Sequence, residues 1–237
     1  MSADILTGFG ILLSAYLIGS IPFGLIIVWL LTGKDIRKVE SGRTGATNAM
    51  RAAGFWAGLT IGILDMLKSA SAAWLARWLL PGMPWLHVLA PLLAILGHNY
   101  SIFLSERTPE GRLRLRGGAG GTPAMGGALG LWEPSFLILF PVGLLLLFGL
   151  GYASVATMSM GAIVIVIFAV RAAMGIGTWE YIIYGVLAEI TVLIALRSNI
   201  HRLLNGTERL VGWRAKRKQG KDDFHLSNEA QSKKIPE

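Results

Sequence analysis

The chain has 237 residues, 53% hydrophobic and only 15% charged, with a mean hydropathy of +0.56, well below the roughly one-quarter charge content of a soluble domain, so an integral membrane protein is expected. The formal net charge of +8 accompanies apolar blocks of membrane-spanning length, so it is read as a positive-inside bias and attraction to anionic head groups, and a nucleic-acid partner is not expected. Cysteine is absent, which excludes disulfides, thiolate nucleophiles and cysteine-bound metals.

Seven spans are predicted, and the fold class is an all-α integral membrane protein. The first covers about residues 5–31; it lacks a basic leader and is too long for a signal sequence, so it is expected to be retained. A loop follows from Lys34 to Arg51, with five cations, Gly42 and Gly45, and the small polar residues Ser41, Thr44, Thr47 and Asn48. Glycines expose backbone N–H groups, and with nearby Arg and Lys they suit a phosphate. The second span, about 55–80, carries Asp65 and Lys68 three residues apart on one helical face, where they can pair and should face the bundle. The third, about 85–105, ends near His98, for which a structural role and a direct chemical one both stay open.

A second polar block runs from Glu106 to Pro123. Arg112, Arg114 and Arg116 alternate into Gly117-Gly-Ala-Gly-Gly, which opens the fourth span, 118–132; free N–H groups at a helix start beside arginines form an anion site, and close helix packing is the competing reading. The remaining spans are 134–150, 152–170 and 180–198, the last with Glu189 at mid-depth. A third polar block, Arg197 to Glu208, closes the membrane domain at 1–208. Residues 209–237 are expected to form a basic, partly disordered cytoplasmic tail, in which Trp213 to Lys218 reads either as a generic positive-inside stretch or as a head-group contact.

Charge orients this arrangement. With the N-terminus outside, 19 of the 22 Lys and Arg residues fall on the cytoplasmic side, and the C-terminus is cytoplasmic. All three polar blocks then meet at one membrane face. Several chemistries are missing from the sequence. No His is followed four residues later by Asp, no metal-ligand cluster or Gly-x-Ser-x-Gly elbow is present, and neither a P-loop nor a dinucleotide fingerprint can be matched.

The blocks Ser41-Gly-x-x-Gly-Ala-Thr-Asn48, Gly97-His98 followed by Arg116-Gly-Gly-x-Gly120, and Asn199-Ile-x-Arg-Leu-Leu-x-Gly-Thr-Glu208 resemble the signature blocks of the bacterial acyl-phosphate:glycerol-3-phosphate acyltransferases. Tyr16 to Gly24, Leu64 to Lys68 and Tyr152 to Thr157 are also similar to that family. The resemblance implies a seven-span bacterial inner-membrane enzyme whose active site faces the cytoplasm. It would use no cofactor and make lysophosphatidic acid from acyl phosphate and glycerol 3-phosphate, with membrane lipids as its surroundings. An acyl phosphate is already activated, so no covalent enzyme intermediate is required, and a substrate phosphate would act as the base.

Carried over residue by residue, the resemblance implies Ser41, Asn48, His98 and Asn199 as catalytic residues. Thr47, Arg51, Arg116, Gly117, Gly118, Gly120, Ser154 and Thr157 would bind substrate. The chain departs from the family pattern where Ala119 replaces a Lys, Leu196 a His, Arg43 an Asn and Glu40 a Gly, and the segment after His98 is lengthened. Arg43, Arg112 or Arg114 would supply replacement charge. The alternative is a non-catalytic or differently specific paralogue that binds a phosphorylated lipid or a partner protein.

Overall fold

The computed structural model describes residues 2–215 and 217, the side chain of Ser2 excepted. Among them are nine α-helices: α1 (Ser2–Ser20), α2 (Phe23–Thr32), α3 (Ala46–Ala53), α4 (Phe55–Leu79), α5 (Pro84–Asn99), α6 (Gly121–Leu131), α7 (Ser135–Leu150), α8 (Ala153–Ala173) and α9 (Glu180–Leu204). Four stretches are long and apolar enough to cross a membrane: Ala3–Thr32, Phe55–Leu79, Ala153–Ala173 and Glu180–Leu204. Most of the tail expected at 209–237, including its polar end, lies outside the described residues. Those at its start pack on the bundle: Val211 N–H donates to Gly151 O (2.8 Å) and Trp213 Nε1 to Phe148 O (3.0 Å).

Among the described residues the structure departs from the all-α reading chiefly in a two-stranded hairpin. Strands β1 (Ser101–Arg107) and β2 (Leu113–Arg116) form an antiparallel hairpin, so the helix expected over 85–105 stops at Asn99. The cause is local: the alternation of Leu113-Arg-Leu-Arg116 has the period of a strand, and Pro109 with Gly111 (φ +77°) turns the chain. The first span is also interrupted. Pro22 has no N–H to continue the helix, and the backbone carbonyls exposed at the break are used by neighbours. Ser101 Oγ donates to Ser20 O (2.6 Å), and Lys68 Nζ donates to Ile21 O (3.3 Å).

Small residues let the helices approach closely. A Cβ on Gly126 of α6 would strike the backbone of Met66 on α4, and one on Gly97 of α5 would strike the Tyr16 carbonyl on α1. These contacts run down both pairs in parallel, bringing the start of α6 and the ends of α1 and α5 to one end of the bundle. The apolar core lies between α5, α6, α8 and α9 around Val88, Ile95, Phe168 and Val192. Tyr184 is fully buried there, and its hydroxyl donates to Ala124 O (2.7 Å). The expected pairing within the second span is present: Lys68 Nζ lies 2.8 Å from Asp65 Oδ1, with both side chains buried.

Candidate functional site

At that end of the bundle the loop 34–45, α3, the start of α6, the start of α8 and the end of α9 enclose a cavity of about 250 Å³. Asn48 builds one wall. Its Nδ2 donates to the carbonyls of Ile36 (3.1 Å), Val39 (3.0 Å) and Arg43 (2.8 Å), so a single amide folds the loop back on α3. Thr44 N–H then donates to Gly117 O (3.3 Å), which ties this loop to the glycine run.

The glycine run is seated on α5. Gly118 N–H donates to His98 O (2.9 Å), and a Cβ on Gly118 would overlap His98 Nε2. A Cβ on Gly117 would likewise strike the His98 and Asn99 carbonyls. Behind the cavity His98 Nδ1 lies 3.4 Å from Asp65 Oδ1, so the imidazole is held between a buried carboxylate and the glycine backbone.

Of the residues singled out in the sequence, Ser41, Thr47, Asn48, Arg51, His98, Gly120, Ser154, Thr157 and Asn199 all line the cavity. Gly117, Gly118 and Arg116 are not in its lining. The Gly118 N–H is already engaged, and Arg116 Nε pairs with Glu106 Oε1 (2.9 Å) within the hairpin. Arg112 and Arg114, two of the replacement cations considered, belong to the same hairpin region and also lie off the cavity.

Glu208 is the residue that sequence reasoning passed over. Asn205 ends α9 and Gly206 (φ +68°) reverses the chain, which returns the Glu208 carboxylate to the cavity with its side chain 5% exposed. Its Oε1 accepts from Asn199 Nδ2 (2.8 Å) and Ser154 Oγ (3.1 Å), and its Oε2 accepts from Arg202 Nε (3.1 Å). One carboxylate therefore joins the start of α8 to the end of α9. The signal was in the sequence: an acid placed two residues after a helix-ending Asn-Gly.

Four arginines, Arg43, Arg51, Arg202 and Arg209, line the cavity against one glutamate, an excess of three positive charges. Arg202 pairs with Glu208 and Arg209 with Glu40 (3.3 Å). Arg43 donates to the Ala195 carbonyl (2.5 Å), and among the described residues neither it nor Arg51 has an ion-pair partner. Burial, the main cause, draws both guanidinium groups below their ordinary range. A bound anion would relieve that cost. Two further polar atoms of the lining residues, Asn48 Oδ1 and Asn199 Oδ1, are buried with no hydrogen-bond partner among the described residues.

The cavity continues into an apolar trough. Met66, Met125, Phe140, Leu144, Leu147, Phe148 and Met160 line it, and Phe55 and Ile63 are exposed along its α4 side. The site thus joins a cationic head with several hydroxyl and amide groups to an apolar trough. That combination fits an amphiphile carrying phosphate at one end.

Comparison with known proteins points the same way. A family model described as glycerol-3-phosphate acyltransferase matches residues 9–206. The glycerol-3-phosphate acyltransferase of one Thermus thermophilus strain is 37% identical over 210 residues, covering 86% of this chain and 95% of the relative. That of Syntrophomonas wolfei is 34% identical over 198 residues, covering 84% and 94%. Among solved structures, PlsY (YgiH), an integral membrane glycerol 3-phosphate acyltransferase, superposes in its glycerol 3-phosphate form with a TM-score of 0.72 at 30% identity, covering 86% of this chain and 96% of the other. Its lysophosphatidic acid form gives 0.71 at 28% identity.

Proposed function

The chain belongs to the glycerol-3-phosphate acyltransferase family, and from that premise we propose that it transfers an acyl group from an acyl phosphate to the primary hydroxyl of glycerol 3-phosphate. Lysophosphatidic acid and inorganic phosphate are the products. The observation that carries this reading is the single cavity in which a cationic polar head opens directly into an apolar trough. One substrate is a polar phosphate and the other a phosphate on a long acyl chain, and both must meet at one carbonyl.

The residues divide the work. Arg51 and Arg43 hold the two substrate phosphates, whose charge offsets the desolvation of both guanidinium groups. Asn48 Oδ1 and Asn199 Oδ1 accept from the glycerol hydroxyls and direct the nucleophile, which supplies rate through orientation. Thr47, Ser154, Thr157 and the N–H groups around Gly120 donate to phosphate and to the carbonyl oxygen as negative charge develops there. Ser41 steadies the loop carrying Arg43, whose N–H lies 3.5 Å from Ser41 Oγ. His98 forms the floor of the site. Gly117 and Gly118 act by packing, since only glycine fits against His98 and Asn99.

We place this chemistry at the cytoplasmic face of a bacterial inner membrane, with seven crossings and the N-terminus outside. The distribution of Lys and Arg supports that orientation. The test uses membranes from cells expressing the chain, supplied with labelled glycerol 3-phosphate and either acyl phosphate or acyl-CoA. Labelled lysophosphatidic acid should form with acyl phosphate. Its absence with both donors overturns the acyltransferase reading and leaves a phospholipid-binding paralogue.

A further inference from the structure

The hairpin β1–β2 has no part in the cavity, yet its position is unusual for a membrane protein. Helix α5 has 16 residues, which at ~1.5 Å each reach ~24 Å, short of the ~30 Å hydrocarbon core. The missing depth is made up by Tyr100 and the first residues of β1. Ile102 (49% exposed) and Phe103 (58% exposed) are bare of protein on that stretch, so a crossing by α5 would set them against lipid and Ser105 to Arg107 near the head groups.

Strand pairing gives the ribbon two different faces. Arg107 lies opposite Leu113, and Glu106 opposite Arg114. On the second face Glu106 takes up the charge, pairing with Arg116 at 2.9 Å and lying 3.9 Å from Arg114. On the first face Leu113 is 69% exposed. Among the described residues Arg107 on that face and Arg112 beside it have no ion-pair partner, and both are exposed. An exposed leucine flanked by unpaired arginines, with Phe103 exposed nearer the base of β1, is the pattern of a segment seated in an anionic lipid surface. Glu110 is exposed at the turn between the strands.

We propose that the 101–116 hairpin is a lipid-docking ribbon, lying on the leaflet of its own membrane with Phe103 and Leu113 in the interface and Arg107 and Arg112 on anionic head-group phosphates. The paired face carrying Glu106, Arg114 and Arg116 is turned to water. This assignment depends on the membrane crossing of α5 and not on the acyl-transfer chemistry.

The absence of native cysteine makes the test direct, since one introduced thiol is the only label site. Leu113→Cys and, as its opposite-face control, Arg114→Cys are each labelled with an environment-sensitive fluorophore. Both go into nanodiscs of phosphatidylcholine alone or of equimolar phosphatidylcholine and phosphatidylglycerol. The label at 113 should be blue-shifted and protected from aqueous iodide in the anionic discs, while the label at 114 stays accessible. Adding Arg107→Gln and Arg112→Gln to the 113-labelled chain should undo the protection, by about fivefold in the docked-to-free ratio per arginine removed. High salt on the otherwise unaltered 113-labelled chain should do the same, which keeps the test valid if the arginine variants misfold. Equal iodide access at 113 and 114, or equal protection in both lipid mixtures, overturns the proposal. So does protection that appears only when a soluble cytoplasmic extract is added, because the occupant is then a protein.

Discussion

Replacing Arg51 with Leu separates a binding role from a structural one. Arg51 lines the cavity, is partly buried, and has no ion pair among the described residues. Leucine keeps apolar contact for the side-chain stem and removes a cation that the unliganded fold does not need. The folded state should therefore lose little, and relief of desolvation would offset what is lost. The substrate complex should lose one charge-assisted contact to phosphate, about 1.5–3 kcal/mol, equivalent to about 10- to 100-fold in affinity. A contact kept from ground state to transition state appears in KM and not in kcat. Initial rates in proteoliposomes across a glycerol 3-phosphate titration, with Tm in detergent, read both quantities. The expected result is a KM raised at least about tenfold with kcat and Tm nearly unchanged. A KM within about threefold of the parent together with a lowered Tm would refute the reasoning, because Arg51 would then be a structural residue.

Glu208→Ala should lower Tm, because three donors on α8 and α9 lose their acceptor and a half-buried ion pair is broken, a loss of about 1.5–3 kcal/mol. Glu208→Gln should lose less, and equal Tm values for the two variants would count against the carboxylate as the joint. Gly118→Ala should abolish turnover by displacing His98, since the new Cβ overlaps Nε2, whereas Gly111→Ala at the hairpin turn should cost about 1 kcal/mol of strain and leave kcat intact. Full activity in Gly118→Ala would show that the His98 position is immaterial. Lys68→Leu should destabilise by about 3–5 kcal/mol by stranding the buried Asp65 carboxylate, and adding Asp65→Leu should recover part of it. An unchanged Tm in the single variant would mean that the pair is not needed.

The sequence showed the apolar blocks and where charge gathers, because hydropathy and cation counts need no knowledge of packing. It did not show the events set by single residues. The break at Pro22 was hidden within one long apolar run, and its role became visible only when Ser101 and Lys68 were seen to use the carbonyls at the break. Helix α3 escaped because residues 34–51 read as a loop, although Ala46–Ala53 is helical. The strand period in Leu113-Arg-Leu-Arg116 is only four residues long, too short to stand out from the charge pattern it also carries. Nine of the twelve site residues named from the sequence line one cavity, because the blocks carrying them meet at one end of the bundle. Arg116 does not, because Glu106 on the facing strand claims it across the hairpin. Such pairings depend on register, which hydropathy does not encode.

The two positions where the family resemblance predicted a cation or donor that this chain lacks, Ala119 and Leu196, both line the cavity. Their loss does not leave the site short of charge. Arg43 reaches from the loop to the Ala195 carbonyl, one residue before Leu196, and carries its guanidinium into the lining. An arginine anchored through one N–H retains others for a phosphate, and its planar fork suits two phosphate oxygens where a histidine offers one nitrogen. The consequence is a site whose unpaired charge comes from the first polar block, because Arg202 of the last helix and Arg209 beyond it are paired with Glu208 and Glu40. Loop order and phosphate binding are then coupled, because Asn48 holds the Arg43 carbonyl while Arg43 holds the end of α9. Loosening either contact should weaken phosphate binding and disorder the loop together, a coupling absent from a site whose cations sit on rigid helices.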